Sequence, residues 1–147
     1  MFNTFAPAFT AFTPHALAVL RIVASLLFIA HGTQKLFGFP IPMQGMPPFL
    51  SLLWIGACIE LIGGTMLLIG WRTREAAFVL AGEMAAAYWL FHAPRNFFPA
   101  ANGGDAAILF CFIFLFFLVA GPGTLSLDNF FQTKRSGASG SDQAAGI

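Results

Sequence analysis

Four long apolar stretches, almost free of charged residues, are the feature that most constrains how this chain folds. They cover residues 16–37, 49–70, 75–93 and 104–121 of a chain of 147 residues. A helix that rises 1.5 Å per residue needs about 20 residues to cross about 30 Å of hydrocarbon, and each stretch approaches that length. The chain is therefore predicted to be all-α, an integral membrane bundle of four antiparallel helices.

The composition supports lipid as the solvent of this chain. Hydrophobic residues make up 58% of the sequence and charged residues only 9%, which leaves too little polar material to cover a soluble domain. The chain contains 19 Phe and one Tyr, and Phe suits hydrocarbon because it carries no polar group. A formal net charge of +1 gives no general attraction for nucleic acid, so the predicted partner is the bilayer and not DNA or RNA.

The chain divides into three predicted regions. Residues 1–15 carry Phe at spacings of three and four, which indicates either an interfacial helix or a disordered lead-in. Residues 16–130 form the membrane domain, in which the proline-rich segment 39–48 is a loop and not a fifth span. Residues 131–147 are small and polar and are predicted to be a flexible tail.

The distribution of positive charge predicts the orientation. An even number of spans places both termini on the same side as the short turn that contains Arg72 and Arg74. Arg21 reaches that side by snorkelling, whereas the opposite side receives only Lys35 and Arg95. The positive-inside rule therefore predicts a multi-pass protein with both termini in the cytoplasm.

Three charged residues lie inside the spans. Arg21, Glu60 and Glu83 would each cost about 2.5 to 3.5 kcal/mol at the bilayer centre if they faced lipid alone. We therefore expect them to face one another as a buried ion network. Such a network either fixes only how the helices pack or forms part of a functional site, and the sequence leaves both interpretations open. Small residues are expected to let neighbouring helices approach closely at Gly56, Gly63, Gly64 and Gly82.

A second polar group is predicted near the outer ends of the spans. The candidates for a ligand or proton-relay site are His31, Gln34, Lys35, His92, Asn102 and Asp105, with Arg95 nearby. Interfacial solvation is the alternative interpretation of the two histidines, and a helix-opening role in complement to the helix dipole is the alternative for Asp105.

A metal centre is not predicted. His31 and His92 could in principle hold a haem between two helices. However, His92 lies nine residues after Glu83, on the opposite side of an α-helix, so the two residues are not expected to face the same interior. The Glu-x-x-His signature of carboxylate-bridged metal sites is also missing from the sequence. The nature of any bound cofactor is therefore left open, with haem and metal disfavoured.

Four segments together resemble the DoxX family of small four-helix membrane proteins. They are residues 21–38 (RIVASLLFIAHGTQKLFG), 60–77 (ELIGGTMLLIGWRTREAA), 97–109 (FFPAANGGDAAIL) and 121–128 (GPGTLSLD). The residues that match the family pattern are Arg21, His31, Gly32, Lys35, Glu60, Gly63, Gly64, Asn102, Gly103, Gly104 and Asp105. Asp105 stands where the family often has Glu, so the carboxylate is kept on a shorter side chain.

The resemblance implies a function that the spacing of residues does not. It implies a protein of the bacterial cytoplasmic (inner) membrane. It also implies redox work, because members include a subunit of thiosulfate:quinone oxidoreductase and proteins linked to complexes that handle thiol and oxidative stress. The expectation is an accessory protein or subunit of a quinone-linked or thiol/sulfur oxidoreductase system. Quinone as ligand, a redox partner protein and a homo-oligomer follow as expectations, and whether the chain itself is an enzyme is left open.

Two other functions remain open at this point. The chain could serve as a membrane scaffold for a partner protein without a ligand of its own, using its small-residue helix faces. It could also transport a small solute or an ion as an oligomer, with Arg21, Glu60 and Glu83 along the path.

Overall fold

A computed structural model describes residues 9–42 and 44–134, and within them every regular element is helical. The helices are α1 (Thr13–Phe37), α2 (Leu52–Ile69), α3 (Thr73–Ala87) with a π-helical turn (Tyr88–His92), α4 (Pro99–Asn102) and α5 (Asp105–Ala120). The all-α prediction is confirmed. Residues 127–134 are helical again, so the flexible tail predicted from residue 131 was wrong for residues 131–134. Residues 1–8 of the lead-in and 135–147 of the tail lie outside the described residues.

The helix ends follow from local chemistry. The side chain of Ser51 accepts a hydrogen bond from the backbone N–H of Trp54 (3.2 Å) and so caps α2 at its start. Gly38 and Gly70 end α1 and α2 in the left-handed conformation, each with φ of 67°, which glycine adopts without steric cost. These two caps set the points at which the chain turns back on itself.

The four long helices pack around one aromatic and aliphatic core. α1 packs mainly against α2, α3 mainly against α5, and α2 joins the two pairs by its contact with α3. Phe28 of α1 bridges to α5, where its ring lies 5.3 Å from that of Phe110 and 4.8 Å from that of Phe114. Leu67 of α2 and Leu80 of α3 are fully buried in the same core.

Most of the outward surface is apolar. Side chains such as Leu26 of α1, Phe78 of α3 and Val119 of α5 are exposed on the outside of the bundle. α1 and α2 are long and apolar enough to cross a membrane, while α5 is apolar over 16 residues. Soluble monomers rarely expose apolar surface this extensive, so the outer faces suit lipid.

Two of the glycines predicted to pack do lie at helix contacts. A Cβ at Gly63 would come within 2.6 Å of the Leu80 side chain, and a Cβ at Gly64 within 2.9 Å of Ile29. Gly82 was wrongly assigned to packing, because it lies on the exposed face of α3 and a Cβ there would meet no atom within 4 Å.

Gly32 is a packing residue that was expected only as part of the family pattern. A Cβ at this position would lie 3.0 Å from both the carbonyl oxygen of Ala57 and the backbone nitrogen of Leu61. These are backbone atoms and cannot move aside as a flexible side chain can. α1 and α2 therefore approach most closely where Gly32 presents no side chain.

Arg21 does not join the predicted network with Glu60 and Glu83. Its guanidinium is completely buried and donates to five backbone carbonyls instead. The acceptors are two carbonyls at the end of α2 and three in the segment that follows α5, namely Leu67, Leu68, Pro122, Thr124 and Leu125. The physical reason is that helix C-termini and irregular segments leave carbonyls without partners, and the planar fork of Arg satisfies several at once.

The segment 121–128 also ties the start of α3 to the same end of the bundle. The carboxylate of Asp128 accepts hydrogen bonds from the backbone N–H groups of Arg72 (2.8 Å) and Thr73 (2.9 Å). Thr124 in turn donates its N–H to the carbonyl of Pro14 at the start of α1 (3.0 Å). One short segment thus joins the ends of four helices.

We predict opposite effects of alanine at two glycines. Gly32→Ala should lower the free energy of unfolding by about 1–3 kcal/mol, because the new methyl group meets fixed backbone atoms. Gly82→Ala should raise the free energy of unfolding by about 0.5–1 kcal/mol, because alanine stabilises an exposed position within a helix relative to glycine. Denaturant unfolding of the detergent-solubilised protein, followed by circular dichroism, measures both, and equal effects would contradict the assigned packing.

We also predict that Arg21→Met strongly destabilises the fold. Five carbonyls lose their donor, and each buried polar group left unsatisfied costs about 1–3 kcal/mol, so the total loss should exceed about 3 kcal/mol. Arg72→Met is the matched control, since the Arg72 side chain is exposed and its ion pair with Glu75 is of the surface type. A similar melting temperature for the two variants would show that the carbonyl bonds of Arg21 do not hold the segment 121–128.

Candidate functional site

A cavity of about 490 Å³ lies between the end of α1, the first half of α2 and the second half of α3. We call it the Lys35 pocket. Its polar lining consists of Lys35, Glu60, Glu83, His92 and Arg95. The remaining lining is apolar and includes Leu53, Ile55, Ile59, Val79, Met84, Leu90 and Phe91. An apolar cavity with a few converging polar groups is the usual form of a small-molecule site.

The polar end of the pocket is built on an ion pair between α1 and α2. Lys35 Nζ lies 2.5 Å from Glu60 Oε1, and the Glu60 side chain is almost fully buried. Lys35 is in the last turn of α1, one helical turn from Gly32, where the two helices come closest. The close approach at Gly32 therefore brings the ammonium group onto the carboxylate.

Glu83 lies across from this pair on α3. A Cβ at Gly56 would come within 3.1 Å of Glu83 Oε1, so the missing side chain at Gly56 leaves room for the carboxyl group. The predicted packing role of Gly56 thus takes a specific form, in which the glycine accommodates a polar group between α2 and α3.

Two carboxyl oxygens in the pocket have no hydrogen-bond partner among the described residues. They are Oε2 of Glu60 and Oε2 of Glu83, and both atoms are buried. A buried acceptor without a partner is costly, and natural proteins rarely keep one without a reason such as a bound molecule. Lys35 bonds only one oxygen of Glu60, so each of the two carboxyl groups keeps one oxygen without a hydrogen-bond partner among the described residues.

His92 lines the same pocket as Glu83, contrary to the helical-wheel argument made from the sequence. Tyr88–His92 is a π-helical turn, in which the N–H of Ala93 bonds to the carbonyl of Tyr88 (2.9 Å). The wider turn rotates the residues that follow relative to an α-helix, so nine residues no longer separate opposite faces. His92 Nδ1 lies 3.1 Å from the carbonyl oxygen of Asn102. Because a carbonyl oxygen can only accept, Nδ1 is the donor of this hydrogen bond, and in the neutral ring Nε2 is then the acceptor.

Two predicted relay residues of α1 lie outside the pocket. His31 is exposed, with its Nδ1 2.8 Å from the carbonyl oxygen of Leu27 and its ring against that of Phe110. Gln34 is half-buried and does not line the cavity. Of the α1 candidates, only Lys35 meets the carboxylates.

Asn102 and Asp105 hold the loop before α5 and do not line the pocket. Asn102 is buried, donates to the carbonyl of Asn96 (2.9 Å) and accepts from the N–H of Gly104 (2.7 Å). Asp105 is exposed and is the first residue of α5. Its place in the first turn is the helix-opening role given above as the alternative, since a carboxylate complements the positive end of the helix dipole.

The polar groups of the pocket can both donate and accept hydrogen bonds, and they can hold protons. Lys35 and Arg95 supply N–H donors, whereas Glu60 and Glu83 supply free acceptor oxygens. Among the residues that the structure describes, no three His, Cys, Asp or Glu side chains gather into a group that could hold a metal ion. The site therefore suits a neutral organic molecule with polar groups at one end.

We predict that the Lys35/Glu60 pair is costly to break from one side. Lys35→Met should lower the free energy of unfolding by roughly 3 kcal/mol, because it leaves a buried carboxylate without its counter-charge. The double variant Lys35→Met/Glu60→Leu should recover most of that loss, since both charges are then gone. Denaturant unfolding of the two single variants and the double variant gives the coupling, and strictly additive losses would contradict a direct pair.

Comparison with known proteins supplies the family. The family model described as DoxX matches residues 16–93. A Haemophilus influenzae protein described as uncharacterized is 43% identical over 128 residues, which cover 84% of this chain and 96% of that protein. No solved structure matches the chain.

Two further relatives carry descriptive names. The Escherichia coli "Inner membrane protein YqjF" is 32% identical over 126 residues, covering 79% of this chain and 92% of that protein. The Bacillus subtilis "Putative oxidoreductase CatD" is 30% identical over 125 residues, which cover 81% of this chain and 90% of that protein. The family match spans more than half of the chain and includes both partners of the Lys35/Glu60 pair as well as Glu83 and His92. This chain belongs to the DoxX family of membrane proteins.

Proposed function

We propose that this protein crosses the bacterial inner membrane four times and serves a quinone-linked oxidoreductase system by binding a quinone-type molecule in the Lys35 pocket. The observation that carries the proposal is the pocket itself, which combines apolar walls with donors and unpartnered acceptors at one end. The names of the E. coli and B. subtilis relatives support the membrane and the redox context.

The proposed topology adds α3 and α5 to the two helices that are long enough to cross on their own. α3 and its π-helical turn together run without a break from residue 73 to residue 92, which is about the length that a span requires. α5 is shorter, and a short span is accommodated by local thinning of the bilayer. Both termini are proposed to be cytoplasmic, on the side of Arg72 and Arg74.

The hydrogen-bonding groups of the pocket match both oxidation states of a quinone. The carbonyl oxygens of the oxidised ring accept hydrogen bonds, which Lys35 and Arg95 can donate. The hydroxyl groups of the reduced ring donate hydrogen bonds, which the free oxygens of Glu60 and Glu83 can accept. A cavity of about 490 Å³ lies within the range of small-molecule sites, and Phe91 in its wall supplies an aromatic contact.

Proton transfer is the chemistry that these residues contribute. Reduction of a quinone to the hydroquinone consumes two electrons and two protons. We assign the electrons to a redox partner protein and the protons to the polar end of the pocket, where Lys35, Glu60 and His92 lie around the ring oxygens. The chain is thus an accessory subunit that binds and orients the quinone.

The test is an anaerobic calorimetric titration of the protein in lipid nanodiscs with decylubiquinol, the reduced form whose hydroxyl groups donate to the carboxyl oxygens, corrected with empty nanodiscs. We expect saturable binding that Glu83→Leu weakens about tenfold, because a hydrogen bond to a charged group contributes about 1.5–3 kcal/mol. Glu83 Oε2 has no hydrogen-bond partner among the described residues that its removal would leave stranded, so this variant should fold.

The matched control is His31→Leu, which removes an ionisable side chain near the same end of the bundle but outside the pocket. It should bind decylubiquinol as the unmodified protein does. Equal losses in both variants, or no binding above that of empty nanodiscs, would overturn the proposal and favour a scaffold without a ligand.

A further inference from the structure

An apolar groove on the outside of the bundle adjoins the Lys35 pocket. The groove has a volume of about 390 Å³ and runs between α2 and α3. Its apolar lining is Ile59, Ile62, Gly63, Met66, Ala76 and Val79. Ile59 and Val79 also line the Lys35 pocket, so the two spaces meet at these side chains.

We infer that this groove, the α2–α3 groove, holds the hydrocarbon tail of the bound molecule and is its route from the bilayer into the Lys35 pocket. The inference rests on the proposed function and narrows its ligand to a quinone that carries a lipid-like tail. A tailless, water-borne quinone would use only the polar end.

The shape of the groove supports a chain-like occupant. From Ile59 to Met66 the groove follows two turns of α2, which is about 10 Å. Gly63 lies midway and adds no side chain of its own, while Leu80 of α3 packs against it from within the bundle, so the two helices are in close contact beneath the groove. At its far end the groove reaches Arg72 and Glu75, which pair with each other at 3.0 Å and close it with charge.

The chemistry of the lining distinguishes the site for the polar ring from the site for the alkyl tail. The six apolar residues offer neither donors nor acceptors from their side chains, and polar groups lie only at the two ends, where Arg72 and Glu75 already pair with each other and the Lys35 end adjoins the larger cavity. A molecule with a polar ring and an alkyl tail therefore fits in one direction. Since lipid is as apolar as the groove, the tail gains little free energy by leaving the bilayer, and the groove acts mainly by orienting the ring toward Lys35 and Glu83.

The exposure of the groove places it in contact with the bilayer. Ile62 is 63% exposed and Val79 is 52% exposed at its edges. Lipid-facing edges of this kind allow a tail to slide in sideways without crossing water.

The experiment uses a benzoquinone with an alkyl tail that ends in a photoreactive diazirine, added to the full chain in nanodiscs. Illumination followed by peptide mass spectrometry should place the label on the α2–α3 groove, on peptides that contain Ile62, Met66 or Ala76. Excess tailless 2,3-dimethoxy-5-methylbenzoquinone should remove this labelling, because the two molecules compete for the same head site.

The matched variants are Ile62→Trp and Leu109→Trp. Both positions are 63% exposed, but Leu109 lies on α5, away from the groove. The larger ring at residue 62 should abolish groove labelling, whereas the change at residue 109 should leave it intact. The tailless quinone should bind both variants as it binds the unmodified protein.

The failure of this inference differs from the failure of the proposed function. Label spread over the lipid-facing residues of α5 as well, and not displaced by the tailless competitor, would place the tail in the bilayer and overturn the groove. If the tailless quinone still binds by calorimetry in that case, the proposed function stands. Absence of quinone binding altogether would overturn both.

Discussion

The need to give the two positive charges of α1 a partner governs how α1 packs in this structure. In an apolar bundle a charged group cannot turn to water, so its partner must come from another helix or from the backbone. α1 carries two such groups about four turns apart. Arg21 finds carbonyls at one end of the bundle and Lys35 finds a carboxylate at the other, and each bond fixes α1 against α2.

The Gly32 contact makes the second of these bonds feasible. Because Gly32 lets α1 lie directly on the backbone of α2, the short distance between Lys35 and Glu60 requires no distortion. The same ion pair leaves one oxygen of Glu60 free, and Gly56 makes space for Glu83 beside it. Two glycines and one ion pair therefore create the polar end of a pocket whose walls are otherwise apolar.

The sequence was sufficient for some features and insufficient for others. Helix positions follow from the apolar stretches because length and composition act locally, and Asp105 at the start of α5 follows from the helix dipole. The partners of Arg21 could not be predicted from the sequence. They are backbone carbonyls, which every residue carries, whereas a search for opposite charges points to Glu60 and Glu83. A uniform α-helix would place Glu83 and His92 on opposite faces, but the π-helical turn at Tyr88–His92 lets both residues line one pocket.

Long-range contacts form the second class of features that sequence patterns do not reveal. Asp128 caps α3 from more than fifty residues away, and nothing in its neighbourhood distinguishes it from an ordinary surface carboxylate. Gly82 was predicted to lie at a helix contact but has no neighbour within 4 Å of where its Cβ would be. A small residue on a helix indicates close packing only if another helix lies on that face.

The two basic residues of α1 use their donors differently at the two ends of the bundle. The guanidinium of Arg21 uses all three of its nitrogens on five carbonyls, so its donors are saturated and any movement breaks several bonds. The ammonium of Lys35 makes one short bond to Glu60 and remains partly exposed to the cavity. A lysine can rotate its remaining donors toward a new acceptor without giving up that bond. The Arg21 end thus holds the helices in register, while the lysine end keeps donors that are not committed to a partner.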